Sequence, residues 1–216
     1  MRTSFHEELK NLRADVLTMG GLTEVAIRDS VVALVEGKVD LADAVIAGDD
    51  RIDTMNLAIE DGCLSVMATQ CPVAGDLRLV HTLMFISSHL ERMADLAVNI
   101  AKMAKRLPPE GAPSQLLGLI SEMGDKTSLV VHDGIEVFKN KDLELARRLP
   151  ELDEPIDRMF KVFFKELAKV VADEAAFEWA ANIVLSSRYL ERIADHAVDI
   201  GERVSYMVTG KPAEWN

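Results

Sequence analysis

The chain has 216 residues, 49% of them apolar and only 5% aromatic, enough for a packed core and too much for a disordered tail. A formal net charge of −12 repels phosphodiester backbones and anionic headgroups, which argues against nucleic-acid binding and against adhesion to an acidic membrane. No stretch reads as an export signal or as eighteen consecutive apolar residues, so no direct membrane insertion is expected and a cytoplasmic setting is.

Apolar residues recur at helical spacing along the chain, and Gly, Pro and polar clusters mark where each run stops. The first predicted helix covers 3–36 and ends at Gly37 to Asp40. The second covers 40–69 and ends at Cys71-Pro-Val-Ala-Gly75. The third covers 75–107 and runs into Leu107-Pro-Pro-Glu-Gly-Ala-Pro113. The fourth covers 114–138 and stops near Lys139 to Asp142, the fifth covers 142–172 with a break around Asp173, and the sixth covers 175–208. Cys63 and Cys71 lack C-x-x-C spacing and read as packing residues of a reduced protein. The methionines, Met84, Met93, Met103, Met123 and Met159 among them, read as core filling.

The two halves are copies. Ser87-Ser-His-Leu-Glu-Arg-Met-Ala-Asp-Leu-Ala-Val-Asn-Ile100 aligns with Ser187-Arg-Tyr-Leu-Glu-Arg-Ile-Ala-Asp-His-Ala-Val-Asp-Ile200, and Asp49-Asp-Arg-Ile-Asp-Thr-Met55 aligns with Asp153-Glu-Pro-Ile-Asp-Arg-Met159. The second copy lacks a counterpart of the Cys71 to Asp76 turn. The expected fold is therefore all-α: six long helices in two tandem three-helix bundles with pseudo-twofold internal symmetry. The expected divisions are a first repeat at 1–107, a Pro-rich linker at 108–114 and a second repeat at 115–216.

Chemistry concentrates in carboxylates. Glu91 with Asp95, and Glu191 with Asp195, stand four residues apart on one helical face, with Asn99 and Asp199 one turn further. The middle helix of each half repeats the device with Asp49 and Asp53, and with Asp153 and Asp157. Like charges at this spacing destabilise a helix by roughly 0.2–0.5 kcal/mol per pair, a cost that a bound cation or the adjacent Arg92 and Arg192 would relieve. On a helical wheel Glu91 and Asp95 fall well away from the apolar stripe, so any metal site is expected on the bundle surface. Such hard donors suit divalent or trivalent iron, manganese, magnesium or zinc. A plain solvated acidic stripe is the competing reading, because duplication copies a surface feature as readily as a site.

A ferritin-like oxidase is disfavoured, since no histidine has Glu three residues before it. His89 and His196 each occur in one copy only and read as ordinary helix residues; His6, His81 and His132 form no pattern. No phosphate loop and no nucleophile elbow is present.

Gln70-Cys-Pro-Val-Ala-Gly-Asp-Leu-Arg78, the two Leu-Glu-Arg-x-Ala-Asp segments beginning at Leu90 and Leu190, and the closing Tyr206-Met-Val-Thr-Gly210 resemble the PhoU family along the whole chain, and the last is similar to actinobacterial members. The resemblance implies a non-enzymatic cytoplasmic regulator of phosphate uptake, placed at the inner face of the membrane through its partners. Those partners would be the ATPase subunit of the phosphate ABC transporter and a phosphate-sensing histidine kinase, whose signalling it represses when phosphate is plentiful. A homodimer is compatible with it. The family's metal-binding acid-x-x-x-Asp motif falls on Glu91, Asp95, Glu191 and Asp195, with Asp49, Asp53, Asp153 and Asp157 as counterparts; Asn99 in place of an acid makes the first site the weaker expectation. A metal-dependent carboxylate enzyme and a passive helical scaffold are the alternatives.

Overall fold

The computed structural model describes residues 2–107, 114–170 and 174–213, and every regular element in them is an α-helix. The helices are α1 (Arg2–Glu36), α2 (Val39–Gln70), α3 (Ala74–Arg106), α4 (Ser114–Asn140), α5 (Leu143–Val170) and α6 (Glu174–Thr209). These bounds agree with the expected ones to within two residues at each described end. The Pro108 to Pro113 stretch and the break around Asp173 lie outside the described residues.

The first two turns of the halves are built alike. After α1, Gly37 adopts φ +66°, and the Lys38 amide donates to the Ala33 carbonyl at 3.0 Å, closing a Schellman-type C-cap. After α4 the same geometry recurs with Lys141 at φ +55° and the Asp142 amide donating to the Val137 carbonyl at 3.2 Å. Asp142 then caps α5, its Oδ1 accepting from the amides of Glu144 and Leu145 at 3.0 Å. A lysine held in the left-handed region costs about 1 kcal/mol that glycine does not. Lys141→Gly should therefore raise stability by about 0.5–1 kcal/mol in a denaturant titration.

Within each half every helix packs on the other two. Between halves, among the described residues, only α3 meets α6 and α1 meets α4. This pairing places α1, α3, α4 and α6 at the centre and leaves α2 and α5 as outer helices. The centre is dry: Leu83, Ile86, Leu90, Met93 and Ile100 on α3 and Leu190, Ile193, Ala197 and Ile200 on α6 are essentially inaccessible to water. Glycine permits the closest approach of α4 to α6, because a Cβ on Gly134 would stand 3.2 Å from the Ala197 carbonyl oxygen. Met93, Met103 and Met123 lie in this core, and Met84 and Met159 pack against it.

The cysteines divide. Cys63 is buried, whereas Cys71 is exposed in the left-handed C-cap of α2 and is not a packing residue. The turn it opens leads to Arg78, whose Nε donates to the Met207 carbonyl at 3.1 Å and so closes the C-terminal end of α6. Two prolines, Pro150 and Pro155, lie inside α5, each lacking the amide that would otherwise bond the carbonyl four residues earlier. No helix among the described residues is long and apolar enough to cross a membrane.

Candidate functional site

Packing of an outer helix on the last helix of its half brings the two acidic pairs of that half together. In the first half, Asp49 is pushed up to about 6, chiefly by burial and then by the negative charges of Asp53, Asp95 and Glu91, with Lys102 opposing. Glu91 is raised by burial, Asp95 and Asp53, with Arg92 opposing. The four carboxylates therefore share one electrostatic field, although they come from α2 and α3.

The second half repeats this arrangement at greater depth. Asp153 is pushed up to about 7 by burial, then by Asp157, Asp195 and Glu191. Burial also heads the causes that raise Glu191 and Asp195, followed by Asp195 for the former and Asp157 for the latter. Asp153 and Glu191 are only 9% and 8% accessible, and their Oδ1 and Oε2 atoms are buried without a hydrogen-bond partner among the described residues. Buried, unpaired carboxylate oxygens are costly, and a retained proton or a bound cation removes the cost. The donor set fits hard or borderline metal ions on that ground.

The wheel of α3 or α6 alone places the acids on a surface. Packing of α2 and α5 buries part of that surface: Asp53, Asp95 and Asp195 keep much of their area in water, while Asp49, Glu91 and Asp157 are half-buried.

The two clusters differ in the cation beside them: Lys102 opposes the rise of Asp49 in the first, and Arg188 that of Glu191 in the second. Arg188 stands where the first copy has Ser88; its Nη1 donates to Glu191 Oε1, and its guanidinium lies 5.6 Å from the Phe160 ring centroid. The structure thus pairs Glu191 with Arg188, and the neighbouring Arg192 is exposed.

Asp199 serves two neighbourhoods. Its charge helps to raise Asp195, yet its Oδ2 lies 3.7 Å from His89 Nδ1 and 3.8 Å from His196 Nδ1. Asn99, its counterpart, is half-buried on α3. The two histidines read as ordinary helix residues meet across the seam between halves, Nδ1 to Nδ1 at 3.1 Å. His89 is held down to about 4, first by burial and then by His196, against the pull of Asp199. Among the described residues these three form the only set of His, Cys or acidic donors whose atoms all lie within 4.8 Å of one another. The carboxylates of the two larger clusters do not meet that spacing.

The PhoU domain matches the chain twice, over residues 16–104 and 120–204. A Pseudomonas putida protein named as a phosphate-specific transport system accessory protein PhoU homolog is 34% identical over 95% of this chain and 81% of its own length. A Mycobacterium tuberculosis protein named as PhoU homolog 2 is 33% identical over 97% of this chain and 99% of its own. The crystal structure of PhoU from Pseudomonas aeruginosa superposes with a TM-score of 0.91 at 34% identity, covering 96% of this chain and 100% of that one. That of the Streptococcus pneumoniae regulatory protein PhoU gives 0.88 at 28% identity, covering 97% and 99%. Two copies of one domain, full-length relatives and a shared six-helix fold place the chain in the PhoU family.

Proposed function

We propose that the protein is a non-enzymatic accessory regulator of phosphate transport, working as an adaptor between the ATPase subunit of the phosphate ABC transporter and a phosphate-sensing histidine kinase. One observation carries this reading: the chain is similar along nearly its whole length to proteins named as phosphate-specific transport accessories. In it the protein acts in the cytoplasm and represses starvation signalling when phosphate is plentiful. Deleting the gene should switch on phosphate-starvation genes, for instance a secreted phosphatase, in phosphate-rich medium. Continued repression there would end the regulatory reading.

The two carboxylate clusters are, in the same proposal, metal sites. Glu91, Asp95, Asp49 and Asp53 hold one set of cations, and Glu191, Asp195, Asp153 and Asp157 the other. Each cation offsets charge that packing forces together, which ties the position of the outer helix to metal loading. The ions that fit are iron, manganese, magnesium or zinc.

Arg188 makes the second cluster partly self-neutralised. Replacing it by the serine of the first copy should tighten Mn2+ binding at the second cluster by about tenfold, because a competing positive charge leaves the ligand Glu191. Calorimetric titration of Arg188→Ser against the parent protein measures this, and an unchanged isotherm would mean that Glu191 is not a ligand.

A further inference from the structure

We propose that His89, His196 and Asp199 form a separate binding site for a borderline transition cation of the zinc class, at the seam between the two halves. The site joins α3 to α6 and adjoins the second carboxylate cluster only through Asp199, whose charge also bears on Asp195.

Geometry supports it first. The three donor atoms are separated by 3.1, 3.7 and 3.8 Å. A point equidistant from them lies about 2.1 Å from each, which is the bond length zinc makes to imidazole nitrogen and carboxylate oxygen. Two nitrogens and one oxygen suit zinc better than magnesium, which prefers oxygens throughout. Coordination through Nδ1 leaves the proton of each neutral ring on Nε2, and the cation takes the place of the hydrogen bond between the rings.

The rings are also held. Phe85 stacks on His89 with centroids 4.0 Å apart and planes at 25°, and the two imidazoles sit edge to face at 4.8 Å and 87°. Both histidine side chains are 16% accessible, while Asp199 is 48% accessible. Solvent therefore reaches the site from the Asp199 side. There a cavity of about 340 Å3, lined by Phe85, Asp199, Glu202, Arg203 and Tyr206, leaves room for a fourth ligand. The nearby cations Arg203 and Arg92 oppose a metal ion. Arg203 is itself engaged, lying 4.1 Å from the Phe85 ring centroid with its Nη1 3.2 Å from His81 Nδ1, and Asp199 and Glu202 bring negative charge to the same side.

Internal symmetry supplies the control. At an offset of one hundred residues the mirror positions of His89, His196 and Asp199 are Tyr189, Leu96 and Asn99. Leu96 is buried and Tyr189 packs against the core, so the mirror positions carry no metal-binding trio. Nothing in the packing demands histidine at both places.

The test uses the full chain, stripped with chelator and titrated with Co2+ as a spectroscopic stand-in for Zn2+. Four-coordinate cobalt with two imidazoles absorbs strongly in the visible region, whereas cobalt in a water-rich carboxylate site absorbs weakly. The parent protein and Glu91→Ala/Glu191→Ala should both develop the strong bands at one equivalent. His89→Tyr/His196→Leu, which copies the mirror pair, should lose them, and Asp199→Asn should weaken binding by at least about tenfold. Weak bands only in the parent protein would overturn the site. So would strong bands that survive His89→Tyr/His196→Leu, or that vanish only with the glutamates.

Discussion

Asp153→Asn should stabilise the metal-free protein at pH 8 by about 2 kcal/mol, although point substitutions as a class destabilise. The reason is the company Asp153 keeps: burial, Asp157, Asp195 and Glu191 push it up to about 7. A carboxyl whose folded pKa exceeds its unfolded one, near 4, binds more protons when folded. Stability from that proton is therefore present at low pH and is lost as pH rises through about 7. The full shift of about three units corresponds to about 4 kcal/mol, and water on the open side of the cluster halves it. Asparagine carries no charge at any pH, so the difference between the two proteins should close as the pH falls toward 4. His89 titrates in the opposite sense, being held down to about 4, but its contribution is common to both proteins and cancels. Urea unfolding of both proteins at pH 8 and pH 4 after chelation measures the effect. A destabilised Asp153→Asn protein at pH 8 would show that the buried carboxylate is already satisfied without metal.

Mn2+ at about a thousandfold its dissociation constant should stabilise the protein by about 4 kcal/mol for each cluster it fills, and each such gain raises the melting temperature of a chain of this size by about 10 °C. Its pH dependence runs against that of the metal-free protein. A cation must displace the protons held by Asp153 and Asp49, so affinity falls as the pH drops through about 7 at the second cluster and about 6 at the first. The metal-free protein is favoured by acid and the loaded protein by base. Glu91→Ala with Glu191→Ala removes one ligand from each cluster and should abolish most of the increase. Thermal unfolding with and without Mn2+ at pH 6 and pH 8 separates the outcomes: a shift equal at both pH values would place the bound ion away from these carboxylates.

Much of this was legible in the residues. Helical periodicity and the turn residues at Gly37, Cys71 to Gly75 and Lys139 to Asp142 placed the described helix ends, because long amphipathic helices joined by short turns leave few alternatives. The duplicated segments grouped the acidic residues by half, and Asp49 and Asp153 each feel the negative charges of the other acids of their own half. Depth was not legible. The wheel of a single helix carries no information about its neighbour, and it is α5 packing on α6 that buries Glu191 and Asp153. Arg188 is one of several differences between the copied segments, and only a side-chain contact reveals it as the partner of Glu191. Neither His89 nor His196 is repeated in the other half. Their contact spans 107 positions and crosses the symmetry seam, where a repeat-based filter is blind.

Whether packing creates two metal-binding carboxylate clusters is read directly by elemental analysis of the protein purified without chelator. Iron, manganese, magnesium or zinc beyond the single equivalent held at the His89–His196 seam should be bound, and Glu91→Ala/Glu191→Ala should lose it. Metal-free protein whose stability does not respond to added cations would contradict it and leave both clusters as solvated acidic faces.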